Sequence, residues 1–311
     1  MEILPGGIED LPVPAGQHHP FLLMDGHLGI PQKLLYAIHM LSSREFPTHR
    51  RAFLSSGAVT TGLITSTTLL IVANPAHQTA FNVRKKLIGL GELLAPRDLD
   101  LTAALLAGSK ESAKSSIVWD HRRWIFRRLH PPTNSPIISE SQTSRAPELL
   151  ENSLLAKLPI GVVDRELQLI ARCCELYPRN YHAWTHWTFC MQSVLLTARG
   201  RYDDIVRSEY QRLLQWVDRH VSDYSAMHCV FAMWTMFHKA LEDGGLPCPL
   251  RHSLALLTDY DHHEAVQLYV RECLERDAGN FDVRTISDQL SSLATFQQPR
   301  GRLLLSELQE L

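Results

Sequence analysis

The sequence has 311 residues, of which 45% are hydrophobic and 21% are charged, so a sizeable buried core can form. The formal net charge is −2 and the pI is about 6.8, which argues against nucleic-acid binding, since that function normally leaves a basic surface and a high pI. The six cysteines form no C-x-x-C motif and do not pair with histidines at zinc-finger spacing. We therefore expect free thiols and no metal site in this chain.

The first predicted element is an N-terminal segment, residues 1–60, which either stands apart or caps the domain that follows. It starts with acidic residues and prolines, whereas a signal peptide needs a basic start and an apolar run. The most apolar stretch, Gly62–Ala73, is shorter than the roughly 20 apolar residues of a membrane span. We expect a buried helix there, no transmembrane segment, and a cytoplasmic protein.

A recurring skeleton follows along the chain. Its copies are HQTAFNVRK (77–85), SSIVWDHRR (115–123), NYHAWTHWT (180–188), DYSAMHCVF (223–231) and, more weakly, NFDVRTISD (280–288). We call the fifth place of each copy the hub, and the hubs are Phe81, Trp119, Trp184, Met227 and Arg284. Large apolar hubs at repeat spacing are packing devices, so the first four are predicted to be buried structural residues.

Each copy is predicted to start the second helix of a helical hairpin. An Asn or Asp four places before a hub, as at Asn180 and Asp223, suits a helix N-cap. The steps between hubs are 38, 65, 43 and 57 residues, whereas a helical-hairpin repeat takes about 34–47. The long steps therefore predict a polar, Pro/Ser-rich insertion near 131–152 and a second insertion near 243–251. The sequence predicts an all-α fold, with a solenoid of hairpins over 61–311.

The skeleton resembles the protein prenyltransferase α-subunit repeat, whose core reads roughly N-Y-x-x-W-x-x-R-R. NYHAW (180–184) matches its first half and WDHRRW (119–124) matches its second half. The resemblance covers about residues 70–290. Within this family the chain is similar to the divergent repeat-containing proteins, through NPAHQTAFNVRKKLI, AKSSIVWDHRRWIFRRL and HVSDYSAMH.

The resemblance implies a right-handed superhelical crescent that wraps around a separate prenyltransferase β subunit. It implies that the β subunit holds the zinc and the isoprenoid pocket, so no cofactor is expected in this chain. The heterodimer would transfer a farnesyl or geranylgeranyl group to a cysteine of a protein substrate, and this chain would not be active alone. The family's lysine near the isoprenoid diphosphate corresponds to Lys114, whereas the family's tyrosine position is occupied by Ser116.

Basic residues surround Lys114: residues 110–128 contain six Lys or Arg against one Glu and one Asp. An ammonium group there could stabilise a diphosphate leaving group, although a solvated basic surface is the simpler interpretation. His121, Arg122 and Arg123 are candidates for contact with a substrate or partner, and the arginines could equally tie neighbouring hairpins together. Tyr181 could pack in the core or face the β subunit.

Two other functions compete with the enzyme-subunit hypothesis. A non-catalytic helical scaffold is favoured by Ser116 and by the loss of the Arg pair in later copies, where Trp187 and Thr188 replace it. A tetratricopeptide-like adaptor fits less well, because its repeats lack Trp with paired Arg. The sequence contains no nucleophile elbow, P-loop or H-E-x-x-H motif. The polar run at 259–264 lacks the spacing of helical metal ligands.

Overall fold

The fold is helical throughout most of the chain. The computed structural model describes residues 3–5, 18–131, 156–197 and 202–277, which contain twelve helices and one small sheet. The predicted all-α fold class is therefore confirmed. In chain order the helices are α1 (Gln32–Ser56), α2 (Thr61–Ala73), α3 (Gln78–Leu90), α4 (Ala95–Gly108), α5 (Lys110–Ala113), α6 (Ser116–Leu129), α7 (Ile160–Leu176), α8 (Tyr181–Thr197), α9 (Asp203–Arg219), α10 (Tyr224–Asp243), α11 (Pro249–Asp259) and α12 (Glu264–Asp277).

Some of the predictions concern residues that lie outside these ranges. The hub at Arg284 and almost all of the insertion near 131–152 lie outside the described residues. The boundary at residue 60 stays a prediction. The chain divides into two compact units, Met1–Ser193 and Val194–Leu311.

A small three-stranded sheet, which the sequence did not predict, belongs to the first unit. Its strands are β1 (Ile3–Pro5), β2 (Leu22–Met24) and β3 (His27–Ile30), in the order β1-β3-β2. β1 pairs with β3 in parallel, and β2 pairs with β3 antiparallel. Asp25 and Gly26 join β2 to β3 with φ of 50° and 78°, the left-handed pair that a tight two-residue hairpin turn requires. These strands are too short to show an alternating sequence pattern.

The helices of the first unit pack as neighbouring hairpins. α2 packs on α1 and α3, α3 packs on α6, and α4 packs on both α6 and α7. The second helices α3 and α6 therefore lie side by side, and so do the first helices α4 and α7. Gly108 at the end of α4 allows β1 to approach, because a Cβ there would lie 2.1 Å from the carbonyl oxygen of Ile3.

The apolar helix predicted at residues 62–73 is confirmed as α2. Leu63, Leu70 and Ile71 are fully buried, and Thr60 caps the helix by accepting from the Leu63 N–H at 3.2 Å. Threonine hydroxyls within α2 bond back to its own carbonyls, as Thr67 does to Leu63 at 3.0 Å, which makes a polar side chain tolerable in the core. None of the described helices is long and apolar enough to cross a membrane.

The second unit contains a hairpin that the repeat analysis missed. α9 packs on α10, α11 packs on α12, and α10 packs on α12. The turn into α12 repeats the turn into α10: His263 donates its N–H to the Tyr260 carbonyl at 3.0 Å, as Asp223 does to His220 at 2.8 Å. Gln267 therefore occupies the hub place, 40 residues after the preceding hub at 227. The predicted break near 243–251 is present, since α10 ends at Asp243 and α11 begins at Pro249. The length of this step, however, comes from the further hairpin of α11 and α12 and not from an insertion.

Candidate functional site

The four hubs that fall within the described residues are buried. Phe81, Trp119, Trp184 and Met227 are between 0% and 2% exposed. The predicted N-caps are confirmed, since Asn180 accepts from the Ala183 N–H at 3.1 Å and Asp223 accepts from the Ala226 N–H at 3.2 Å.

The hub Trp119 is also tied to the next hairpin through a shared carbonyl. Its indole N–H and the Asn180 side-chain amide both donate to the Ala113 carbonyl oxygen, each at 2.8 Å. One backbone oxygen thus fixes the starts of α6 and α8 together.

A buried polar network joins the first two hairpins. Arg84 on α3 donates from Nε to Oδ1 of Asp98 on α4 at 2.9 Å, and its Nη2 pairs with the same oxygen. Its Nη1 donates to the hydroxyls of Thr67 and Thr68 at 3.2 and 2.8 Å. His121 on α6 completes the network by donating from Nε2 to Oδ2 of Asp98 at 2.6 Å. The guanidinium, the carboxylate and the imidazole are all buried, so their hydrogen bonds offset the cost of desolvation.

The same network recurs one hairpin later. Arg122 on α6 makes a bidentate pair with Glu166 on α7, with N–O distances of 2.7 and 2.5 Å. Its Nη1 donates to the Leu99 carbonyl at 2.6 Å and to the Thr102 hydroxyl at 2.9 Å. His186 on α8 donates to Glu166 at 2.9 Å. Burial alone would raise the pKa of Glu166, but the Arg122 charge and the hydrogen bonds from His186 and Arg122 lower it from 4.5 to about 2.

The arginine and the histidine of each network stand at fixed places relative to the hubs, and the sequence analysis identified only some of these residues. The arginine stands three places after a hub, and the histidine stands two places after the next hub. The analysis identified Arg122 and His121 but missed Asp98, Glu166 and His186. A signal existed, because His121 and His186 share one place in the skeleton. The carboxylates lie on the first helix of each hairpin, outside the recurring segment.

His121 and Arg122, which we considered for partner contact, are therefore occupied inside the unit. Both are buried, and each makes its hydrogen bonds to groups of the same chain. Burial lowers the pKa of the His121 imidazole. The structure places neither side chain on a surface that a partner could reach.

The accessible cations form a surface on α3 and α6 that we call the basic face. Its six members are Lys85, Lys86, Asp120, Trp124, Arg127 and Arg128. Four cations thus stand against one carboxylate in a chain whose formal net charge is −2. Lys85 pairs with Asp120 across the two helices at 3.3 Å. Arg123 is half-buried and lies on the side of α6 that faces α8, where its charge acts on His182 and His186.

Lys114 lies just before α6, on the exposed end of the hairpin. Its side chain is 44% exposed, and its ammonium pairs with Glu111 at 2.6 Å. That hydrogen bond raises the pKa of Lys114. Ser116, at the position where the family has tyrosine, is exposed two residues later. Tyr181 occupies the corresponding position at the start of α8 and is 67% exposed, so its ring lies on the surface rather than in the core.

Comparison with known proteins identifies the repeat. The model of the family "Protein prenyltransferase alpha subunit repeat" matches residues 163–194. The chain is similar to "Protein prenyltransferase alpha subunit repeat-containing protein 1" of Danio rerio, with 32% identity over 70% of this chain and 48% of the relative. The human protein of the same name is 29% identical over 66% of this chain and 48% of its own length. A Xenopus laevis relative, "Protein prenyltransferase alpha subunit repeat-containing protein 1-A", is 31% identical over 58% of this chain and 39% of its own length. The chain spans about half the length of these relatives, or less. The resemblance seen in the sequence is thus confirmed.

Proposed function

We propose that this chain, which carries the protein prenyltransferase alpha subunit repeat, is the α-subunit-type component of a heterodimeric protein prenyltransferase. The heterodimer would transfer a farnesyl or geranylgeranyl group from its diphosphate to a cysteine of a protein substrate. The observation that supports this role most directly is the exposed ammonium of Lys114 just before α6, on a helix that two buried networks join to the neighbouring hairpins.

Lys114 is suited to stabilise negative charge on a diphosphate. An exposed ion pair such as the one between Lys114 and Glu111 contributes little free energy, so an anionic ligand could exchange for the glutamate at small cost. The first N–H groups of α6 point to the same end of the helix, where the helix dipole also favours an anion. A positioned ammonium would then stabilise the charge that develops as the diphosphate leaves.

The remaining chemistry belongs to a partner in this proposal. Among the described residues, no three His, Cys, Asp or Glu side chains converge to hold a metal ion. We assign the zinc, which would hold the substrate thiolate, and the isoprenoid pocket to a β subunit. This chain would contribute the scaffold, a protein-binding surface and the Lys114 charge, and it would be inactive alone.

A non-catalytic helical scaffold is the second candidate, and two observations favour it. Lys114 already has a counter-ion in Glu111, and Ser116 lacks the phenol that the family presents at that place. In that case the chain would bind a β-type subunit or another protein without a role in transfer.

The test is co-expression with the prenyltransferase β subunits of the same organism, followed by co-purification and an assay with a labelled isoprenoid diphosphate. We expect a 1:1 complex that prenylates protein and whose turnover falls at least about tenfold in Lys114→Ala. Lys157→Ala is the matched control, since Lys157 is an exposed lysine before α7. A complex with unchanged turnover in Lys114→Ala would remove the catalytic role and favour the scaffold. Failure to bind any β subunit would refute the subunit proposal.

A further inference from the structure

The basic face has features that neither the repeat fold nor the proposed transfer reaction explains. In α8 the positions that correspond to Asp120 and Arg127 are Thr185 and Gln192, so packing of the repeat does not require charge there. The two buried networks already use Arg84 and Arg122, and the cations of the basic face are additional to them.

Trp124 lies at the centre of this face. The Lys85 ammonium stands 5.7 Å from the centroid of its ring, and the Arg128 guanidinium stands 5.9 Å from it. The His121 ring stacks against the indole at 6.1 Å with an interplanar angle of 13°. Trp124 is thus held in place by three neighbours while part of its surface stays accessible. A rigid, partly exposed Trp surrounded by cations is the residue set that dominates binding energy at protein interfaces.

The distribution of charge favours a protein segment over other anions. A membrane or a nucleic acid would extend beyond the basic face onto a chain whose net charge is negative, which weakens its binding. A single phosphate could not use cations spread over both α3 and α6. A peptide with several carboxylates could pair with the cations of both helices, and an apolar side chain of the same peptide could contact Trp124.

We propose that the basic face is a docking surface for an acidic segment of a partner protein, in which carboxylates pair with the exposed cations of α3 and α6 while an apolar side chain packs on Trp124. The surface lies entirely within the first unit, so binding is a property of this chain alone. Failure of this proposal would leave the subunit proposal untouched, and the reverse also holds.

The experiment measures the binding of a fluorescently labelled peptide of alternating Glu and Leu to the full chain, by anisotropy at low and moderate salt. The matched control peptide has Gln in place of Glu. We expect the Glu peptide to bind at least about tenfold more tightly than the Gln peptide, with an affinity that falls as salt screens the charges.

Three variants locate the binding site. Lys86→Glu combined with Arg128→Glu reverses two exposed charges, and Lys157→Glu combined with Arg165→Glu makes the same charge change on exposed residues near α7. We expect the first pair to weaken binding at least about tenfold and the second pair to change it less than about twofold. Arg123→Gln removes a charge from the side of α6 that faces α8, and it should change binding less than about twofold, with helix content unchanged by circular dichroism.

Two results would overturn the proposal. If the Glu and Gln peptides bind with equal affinity, or if both charge-reversal pairs lower the affinity for the Glu peptide equally, the basic face is not the binding site for acidic segments. Displacement of the Glu peptide by inorganic pyrophosphate or by phosphatidylserine vesicles at matched concentrations of negative charge would assign the face to phosphate or lipid instead.

Discussion

The strongest test of the packing argument is the substitution Arg122→Leu. Leucine fills much of the volume of the arginine stem but removes the bidentate partner of Glu166, which is 3% exposed. The carboxylate would keep only the hydrogen bond from His186 at 2.9 Å. A buried carboxylate without its cation must either stay charged at high cost or take up a proton.

The size of the effect follows from two independent arguments. The pKa of Glu166 is lowered from 4.5 to about 2 by Arg122 and His186 together, against the effect of burial, and at about 1.4 kcal/mol per pKa unit this net shift corresponds to roughly 3.5 kcal/mol in favour of the ionised form. Breaking a buried ion pair by removing one partner typically costs about 3–5 kcal/mol. We therefore expect Arg122→Leu to lower the free energy of unfolding by about 3 kcal/mol at neutral pH.

The assay is urea unfolding of the full chain, followed by far-UV circular dichroism. Arg123→Leu is the matched control, because Arg123 follows on the same helix, is only partly buried, and has no carboxylate partner among the described residues that resembles Glu166. We expect the control to lose less than about 1 kcal/mol. Arg122→Leu combined with Glu166→Leu should lose no more than Arg122→Leu alone, since no buried charge is then left unpaired. Equal losses in Arg122→Leu and Arg123→Leu would refute the reasoning.

Three further predictions follow from the same structure. Burial lowers the pKa of His121 and His186 below 6.5, so the unfolded chain binds protons first on acidification. Stability should then fall below about pH 6.5 by up to about 1.4 kcal/mol per pH unit for each histidine. His186→Gln should flatten the pH dependence of the urea midpoint, and an unchanged slope would exclude this histidine as its source. Trp119→Ala should cost about 3–5 kcal/mol in urea unfolding. Trp124→Ala, whose ring is partly exposed, should cost less than half as much, and equal losses would contradict the assignment of Trp119 as a hub. Gly108→Ala should cost about 1–3 kcal/mol and reduce hydrogen-exchange protection in β3, because β1 must move away from α4. Unchanged protection would show that this close approach is absent in solution.

The sequence predicted the second helices of the hairpins well because their signals are local. A hub, a cap four places earlier and the spacing of a helix face are all contained in nine residues. Asn180 and Asp223 cap their helices as expected. The sequence analysis did not predict the hairpin that ends in α12, because its hub place holds the polar residue Gln267 and not a large apolar one. In the structure, the side-chain amide of Gln267 donates a hydrogen bond to the Asp261 carbonyl at 2.8 Å.

The polar networks could be predicted only in part, for a different reason. Arg84 and Arg122 recur at one place of the skeleton, and so do His121 and His186. The carboxylates that join them do not share a fixed distance from the hub. Asp98 stands 21 residues before its hub at 119, whereas Glu166 stands 18 before its hub at 184. Pairing of this kind depends on which helices lie side by side, and that information appears only in the fold.

The change at the third copy of the skeleton indicates how such networks can be lost without loss of the fold. The places of the arginine and the histidine hold Trp187 and Cys229, and Glu209 stands 18 residues before the hub at 227, as Glu166 does before its own hub. Loss of the cation alone would leave a buried carboxylate unpaired, which is the costly outcome expected for Arg122→Leu. Glu209 is 5% exposed and makes a bidentate pair with Arg212 on the same helix, at 2.7 and 2.5 Å. Glu209 thus has a cation on its own helix, whereas Asp98 and Glu166 pair with arginines of other helices.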